Sequence, residues 1–166
     1  ANLFSSEMTF YDKSFGGHNY FLGLNDINVY KYIFYSRLFK CVVFYSCYEY
    51  SIGGGEKYLS NLMKYFIDKD YYVLFINNTD EKIYSKTLHF YFNDLDKKKI
   101  ISLNYSSEIF KYKNLCDYYI CMSNNSYPGH FGFAKKNIYH CQFPFNVINN
   151  NDITINSFDQ IIVNSD

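Results

Sequence analysis

The sequence has no tryptophan, only 2 prolines and 8 glycines, and no excess of charge of either sign. Its 16 acidic side chains match its 16 basic ones, and its most basic stretch is the short run DKKKI at 96–100. A run of this length is usually a solvated surface. Because binding to nucleic acid through phosphate contacts needs a larger basic surface, the charge pattern argues against a nucleic-acid partner.

Long apolar runs and processing signals are absent as well. No stretch reaches the roughly 20 residues of a membrane-spanning helix, and no basic segment precedes an apolar block near the start. The five cysteines form no C-x-x-C pair and no zinc-type ladder with histidine; they are Cys41, Cys47, Cys116, Cys121 and Cys141. A scattered, odd set suits a reducing compartment. We therefore expect a cytoplasmic protein, with peripheral contact at the inner face of a membrane left open.

Several catalytic signatures are also missing. The sequence contains no G-x-G-x-x-G, no G-x-x-x-x-G-K-[ST] and no nucleophile elbow. The sequence also shows no clear pair of carboxylates of the kind that glycoside hydrolases use for catalysis. What the sequence does have is 20 tyrosines and 17 phenylalanines, enough apolar surface to offset the entropy of ordering one domain.

A strand–helix–strand unit is the clearest pattern in the chain. The run KCVVFYS (40–46) is a short, continuous apolar segment typical of a buried parallel strand. After three glycines, residues 56–70 carry apolar side chains at helical spacing, and YYVLFINN (71–78) is a second apolar run. These segments predict a βαβ unit.

The later segments continue the alternation. Strands are predicted at 86–92, 99–104, 117–123, 137–145 and 158–166, a helix at 106–117 and a turn at 125–136. Alternating strands and helices predict an α/β fold with a doubly wound, mainly parallel sheet. Residues 26–40 have helical spacing with Asp26 as a cap.

The chain divides at residue 40 in this interpretation. Residues 1–39 are an N-terminal extension or the tail of an upstream domain, and residues 40–166 form a Rossmann-like domain. Because QIIVNSD ends on a predicted strand, we expect the domain to continue into another one.

The glycine loop is the first candidate site. Gly53, Gly54 and Gly55 follow the first strand and precede the helix, at the edge where ligands of open α/β sheets bind. Glycines there let a ligand approach free backbone N–H groups at the positive end of the helix. A tight turn explains them equally well, and Glu56 suits a helix start by charge alone.

The segment GGGEKYLSNLMKYFIDKDYYVLFIN resembles the first helix of the group 1 (family 4-like) glycosyltransferases of GT-B fold, which have a Gly-Gly-x-Glu-Arg motif after their first strand. Gly53, Gly54 and Glu56 match that motif, and Lys57 stands where arginine is usual. The segments KKNIYHCQFPF and FDQIIVNSD resemble later strands of the same family. The resemblance covers roughly residues 40–166.

The resemblance implies a Rossmann-like, acceptor-side half of a hexosyltransferase, working in cell-surface polysaccharide biosynthesis. Such an enzyme moves a sugar from a nucleotide-sugar donor to a glycan or lipid-linked acceptor without an essential metal. The donor is held mainly by a C-terminal domain, so this domain binds no cofactor and is expected to be inactive alone. The substrate-binding candidates are Gly53, Gly54, Gly55, Glu56, Lys57, Gln142, His140 and His130, and no catalytic residue is assigned.

The histidine candidates differ in kind. The family's acceptor-side histidine aligns with Gln142, which forms hydrogen bonds but is no general base near neutral pH. His140 lies two residues earlier in the same predicted strand and therefore shares its face, although a lone histidine in an apolar strand is more often a core group. His130 follows a Pro-Gly turn, beside the aromatic residues Tyr127, Phe131 and Phe133.

A second interpretation is a non-catalytic, flavodoxin-like α/β binding or interaction module. Receiver domains need aspartates at the strand ends, and flavodoxins need a Ser/Thr-rich phosphate loop after the first strand. The sequence YSCYEY at that position supplies neither, although Glu49 and Tyr50 within it are within reach of the cleft.

Overall fold

A computed structural model of the chain describes residues 26–124, 128–142 and 153–163. In these ranges six strands form one sheet with helices on both faces. The strands are β1 (Cys41–Ser46), β2 (Tyr72–Ile76), β3 (Ile100–Leu103), β4 (Tyr118–Ser123), β5 (Lys136–Cys141) and β6 (Gln160–Val163). The helices are α1 (Ile27–Leu38), α2 (Gly54–Asp68), α3 (Glu81–Tyr91) and α4 (Asp94–Lys97), with short 3₁₀ helices at Ile109–Lys111 and Ile153–Ser157.

The sheet order is β3-β2-β1-β4-β5-β6, and every neighbouring pair is parallel. This is the order of the doubly wound dinucleotide-binding fold, and it differs from the flavodoxin-like order. The predicted doubly wound, Rossmann-like α/β class is confirmed. The order reverses beside β1, which pairs with β2 on one side and with β4 on the other, so the crevice between β1 and β4 is where such folds bind ligands.

Each face of the sheet has its own apolar core. α1 covers one face, where its buried side chains join alternate residues of β1, β2 and β4 and the segment around Phe133. α2 and α3 cover the other face, packing on the intervening residues of the same strands. The alternation of buried residues between the two faces is the period of two that strands impose.

Helix α1 belongs to this domain rather than to a separate unit. Asp26 caps it as predicted, accepting a hydrogen bond from the Asn28 N–H. Val29, Tyr32 and Ile33 are buried in the same cluster as Val43 of β1. The boundary at 39/40 therefore runs between two packed elements, and residues 1–25 of the predicted extension lie outside the described residues.

The strand predicted at 86–92 is wrong: this segment is the second half of α3. The side chain of Asp80 caps the helix by accepting from the Lys82 N–H. Tyr84 and Thr87 are buried and the partly buried Tyr91 follows one turn later, a spacing of three and four residues that matches a helix and not a strand. Starting the segment at 86 cut off the cap and the first turn, which hid that period.

The helix predicted at 106–117 is also wrong. Only the single 3₁₀ turn at Ile109–Lys111 forms, and Asn114 has a left-handed backbone with φ of 61°. The backbone N–H groups of Asn114 and Asp117 donate to the carbonyls of Phe133 and Cys41 instead. Pairing with other segments therefore replaces the helical hydrogen bonds.

The remaining predictions agree in position. The strands predicted at 99–104 and 117–123 are β3 and β4, and the described parts of those at 137–145 and 158–166 are β5 and β6. Residues 125–127 and 143–152, which include Tyr127 and Pro144, lie outside the described residues, as do 164–166. Among the described residues no helix is long and apolar enough to cross a bilayer.

Candidate functional site

A cavity of about 270 Å³ opens at the carboxyl ends of β1, β4 and β5. It lies beside the β1–β4 switch point of the sheet, and the first turn of α2 forms part of its wall. Its lining residues are Ser46, Tyr48, Glu49, Tyr50, Gly55, Glu56, Leu59, Met122, Asn124 and Gln142. We call this space the switch cavity.

Gly53 is explained by its neighbours. It is the N-cap of α2, with an extended backbone that any residue can adopt. A Cβ on Gly53 would lie 2.7 Å from Oε2 of Glu56, so the absence of a side chain lets that carboxylate fold back over the helix start. Glu56 is the third residue of the helix, the position from which a carboxylate reaches back toward the N-cap.

Gly54 and Gly55 have no comparable structural reason. Neither has a positive φ. Among the described residues, a Cβ on Gly54 would meet no atom within 4 Å, and one on Gly55 would make ordinary contact with the Gln142 amide at 3.6 Å. Glycine costs up to about 0.5–1 kcal/mol relative to alanine inside a helix, and no described residue requires glycine at these two positions, which leaves room for close approach by another group.

The first turn of α2 offers unpaired donors. Among the described residues, the backbone N–H groups of Gly54, Gly55 and Glu56 donate to no partner, whereas that of Lys57 donates to the Gly53 carbonyl. Such a turn favours a hydrogen-bond acceptor in front of it. The helix start therefore presents donors beside the switch cavity.

The loop before α2 is held rigidly by α3 and the end of β2. The Gly53 N–H donates to the Tyr91 hydroxyl oxygen at 3.1 Å, and that hydroxyl donates to the Gly53 carbonyl at 2.9 Å. The Tyr50 N–H donates to Oγ1 of Thr79 at 2.7 Å, and the Tyr50 carbonyl accepts from the Thr87 hydroxyl at 3.0 Å. Ligand binding would therefore cost little ordering of this loop.

Polar groups from three strand ends complete the cavity. The Asn124 N–H donates to the Tyr48 hydroxyl at 3.2 Å, while Oδ1 of Asn124 is buried without a hydrogen-bond partner among the described residues. The Gln142 amide stands against Gly55, and Glu49 and Glu56 add two carboxylates. The cavity thus combines donors and acceptors suited to a ligand rich in hydroxyl groups.

Neither a thiol nor a metal cluster is found at this cavity among the described residues. Cys121 of β4 lies in the α1-side core and not in the cavity lining, and burial raises its pKa to about 12, so it stays protonated near neutral pH. No group of three or more histidine, cysteine or acidic side chains in the described part of the chain is placed to hold a metal ion. The described lining can position and polarise a ligand through its amide, hydroxyl and carboxylate groups.

His140 is buried behind the cavity wall. It lies in β5, is 1% exposed, and neither ring nitrogen has a hydrogen-bond partner among the described residues. The ring of Tyr58, from the first turns of α2, covers it at a centroid distance of 5.1 Å. Burial lowers the pKa of His140, so the imidazole is neutral at pH 7. A buried polar side chain without partners is a cost that the fold itself does not explain.

We expect His140→Phe to leave the free energy of unfolding at pH 7 unchanged or to raise it by up to about 1 kcal/mol, because two unpaired nitrogens are removed. The wild type should lose stability as the pH falls below about 6.5, since the unfolded chain then binds a proton that the buried ring resists. The variant should lose less. Urea unfolding between pH 5 and 8 measures both effects, with the exposed His89→Phe as control. A loss above about 1 kcal/mol at pH 7 would contradict this account.

His130 lies on the other face of the sheet, away from the glycine loop. Its ring packs on Phe110 at 4.7 Å and on Tyr45 at 5.6 Å, in the region of the α1-side core. Its Nε2 shares a hydrogen bond of 2.5 Å with the Tyr119 hydroxyl. This placement makes His130 part of a packed aromatic cluster.

The structure therefore brings some of the predicted residues together and not others. Gly55, Glu56 and Gln142 line one cavity, with Gly53 and Gly54 adjoining it. Lys57 is exposed on α2 and does not line the cavity. Tyr48 and Asn124 were missed, although both directly follow strand ends, the positions from which such folds build their sites.

Comparison of the chain with protein-family models, with curated proteins and with solved structures finds no match in any of the three.

Proposed function

We propose that this chain is the acceptor-side half of a glycosyltransferase that moves a sugar from a nucleotide-sugar donor to a hydroxyl of its acceptor. The donor would be held mainly by a second domain, and the enzyme would act in the cytoplasm. The acceptor is a glycan or a lipid-linked glycan in this proposal. Peripheral contact with a membrane belongs to the proposal as well.

One observation supports the proposal above the others. The two segments that carry the family resemblance are far apart in sequence, yet Gly55 of the first and Gln142 of the second line the same cavity. A Cβ on Gly55 would lie 3.6 Å from the Gln142 amide. Both residues follow strand ends, so the parallel sheet brings them to the same edge; their meeting in one cavity at that edge is what a shared site requires.

The chemistry of the cavity fits the acceptor side of such a transfer. In that reaction the bond from the anomeric carbon to the oxygen of the donor phosphate breaks, a bond to the acceptor oxygen forms, and the proton of the acceptor hydroxyl passes to the departing phosphate, directly or through solvent. The Asn124 Oδ1 and the Gln142 amide would hold acceptor hydroxyl groups, and the free N–H groups of α2 would face the reaction centre. These residues contribute by positioning and by fixed dipoles.

The test compares the 166-residue chain with the intact protein that contains it. We expect the intact protein to bind UDP-, GDP- or ADP-hexoses and to release nucleoside diphosphate when an acceptor is added, because donor contacts lie in the second domain. The chain alone should show neither activity. Calorimetry and a coupled nucleotide-release assay measure the two quantities. Robust turnover by the chain alone would contradict the proposal, as would an intact protein that binds no nucleotide sugar.

A further inference from the structure

The switch cavity does not stand alone at this edge of the sheet. A space of about 150 Å³ adjoins it and shares Tyr48 and Glu49 with it. A third space, of about 560 Å³, lies over the ends of β2 and β3 and shares Thr79 with the second. We call the three together the edge trough. It extends from Gln142 after β5 to Asn104 after β3, about 19 Å at the usual spacing of strands.

The largest part of the trough, over β2 and β3, has a polar lining. It lies between the first turn of α1 and the first turns of α3, with strand ends as its floor. The lining residues are Ile27, Asn28, Lys31, Asn77, Thr79, Glu81, Tyr84, Ser85, Ser102 and Asn104. Hydroxyl and amide groups dominate, and Ile27 is the aliphatic side chain among these residues. A lipid chain would find little apolar surface here.

Tyr84 gives this space an unexplained polar group. The side chain is 9% exposed, and its hydroxyl meets no described group with the distance and angles of a hydrogen bond. The Ser102 hydroxyl lies close enough to lower the pKa of Tyr84 somewhat. Burial nevertheless raises the pKa of Tyr84 to about 12, so the group remains a donor near neutral pH. A buried, unpaired hydroxyl beside a polar cavity points to a missing partner.

The charged side chains along the trough indicate which class of ligand it suits. Carboxylates line all three parts: Glu56 and Glu49 at one end, Asp80 in the middle and Glu81 at the other end. Lys31 is the one cationic side chain among the described lining residues. Away from the N–H groups at the start of α2, such a surface disfavours phosphates and acidic sugars, and it accepts hydrogen bonds from hydroxyl groups.

We propose that the edge trough binds a neutral oligosaccharide that runs along the strand ends, with Tyr84 and Asn104 contacting sugar units distal to the switch cavity. The role of this oligosaccharide as the acceptor rests on the proposed function, whereas its binding does not. The trough is long enough for several sugar rings, each of which offers hydroxyl groups that donate and accept. The substrate class is then a neutral glycan of several units rather than a single sugar or an acidic polymer.

Direct titration of the 166-residue chain tests the proposal. The probes are neutral tetrasaccharides of glucose, mannose, galactose and N-acetylglucosamine, their monosaccharides, and tetragalacturonate as an anionic probe. We expect at least one neutral tetrasaccharide to bind about tenfold or more tightly than its monosaccharide, since the distal contacts add hydrogen bonds. Tetragalacturonate should not bind. Absence of binding by every neutral tetrasaccharide, or equal binding of the anionic one, would overturn the proposal.

Variants locate the binding. Tyr84→Phe and Asn104→Ala should each weaken the tetrasaccharide about threefold to tenfold and leave monosaccharide binding unchanged. Tyr84→Phe should not reduce thermal stability, because the lost hydroxyl has no hydrogen-bond partner in the part of the chain that the structure describes. Tyr118→Phe, at the start of β4 and thus at the opposite edge of the sheet, is the matched control. An unchanged tetrasaccharide affinity in Tyr84→Phe would contradict the placement.

The outcomes of the two tests are separable. If the chain binds an oligosaccharide but the intact protein does not turn over nucleotide sugars, the proposal of an oligosaccharide site in the edge trough is kept and the proposal of a glycosyltransferase is rejected. Turnover by the intact protein, with the chain binding no neutral oligosaccharide, would do the reverse.

Discussion

Under the proposed function, Gly54→Val is expected to reduce the proposed transferase activity by about a hundredfold or more while the fold is unaffected. The valine carbons would occupy the space in front of the α2 N-terminus, and displacement of bound groups by about 1 Å costs rates of this order. We expect the fold to tolerate the change because no atom of the described residues lies within 4 Å of a Cβ at this position and the backbone has no positive φ. The nucleotide-release assay and urea unfolding measure the two effects.

Alanine at the same position makes the test sharper. Gly54→Ala should raise the free energy of unfolding by about 0.4–1 kcal/mol, because the unfolded chain loses freedom, and should still lower activity. Opposite signs of the two effects would identify a position that glycine holds for function. Asn61→Val, on an exposed position of the same helix, controls for a β-branched residue in α2. If Gly54→Val retains wild-type activity, the loop is only a turn.

The sequence predicts the secondary structure correctly where a segment is taken together with the residues that begin and end it. β1, α2 and β2 follow from an apolar run, a helical period and a second apolar run, and all three form close to the predicted positions. Residues 86–92 alone do not show that they belong to a helix, because the cap of that helix, Asp80, lies before them. Strand order is a different matter, since the pairing of β1 with β4 joins residues 76 apart and leaves no local signal.

The candidate site was predicted only in part, because local sequence signals identify single residues and not their contacts across the fold. Local signals identified the glycines and Glu56, and the rule for strand ends indicated the edge on which they lie. These signals did not distinguish Gly53 from Gly54. A side chain on Gly53 would collide with the Glu56 carboxylate, whereas one on Gly54 would meet no atom of the described residues. His130 is a substrate-binding candidate from its place after a Pro-Gly turn, but its loop packs on the α1 face of the sheet. Which face a loop returns to depends on aromatic packing that spacing does not encode.

Asn77→Ala is expected to cost about 2–4 kcal/mol of the free energy of unfolding, a large share of the stability of a domain this size. The side chain is 5% exposed and its amide donates to the Ser46 and Tyr48 carbonyls, both at 2.9 Å. Its Oδ1 accepts from the N–H and the hydroxyl of Thr79. One amide thus joins the end of β2 to the loop after β1, and alanine would leave these groups unpaired.

Asn77→Asp should be at least as damaging at pH 7, because a carboxylate keeps the contacts to Thr79 but faces two carbonyl oxygens. Burial beside those oxygens would raise the pKa of the introduced carboxyl above its unfolded value, so the penalty is present at neutral pH and shrinks as the pH falls. Asn78→Ala, which removes one exposed contact to the Tyr105 N–H, is the matched control and should cost under about 1 kcal/mol. Urea midpoints at pH 5 and 7 measure the series. Equal midpoints for Asn77→Ala and Asn78→Ala would mean that the hydrogen bonds of Asn77 do not stabilise the loop after β1. The loop before α2 would then be held by the hydrogen bonds of Tyr50 and Tyr91.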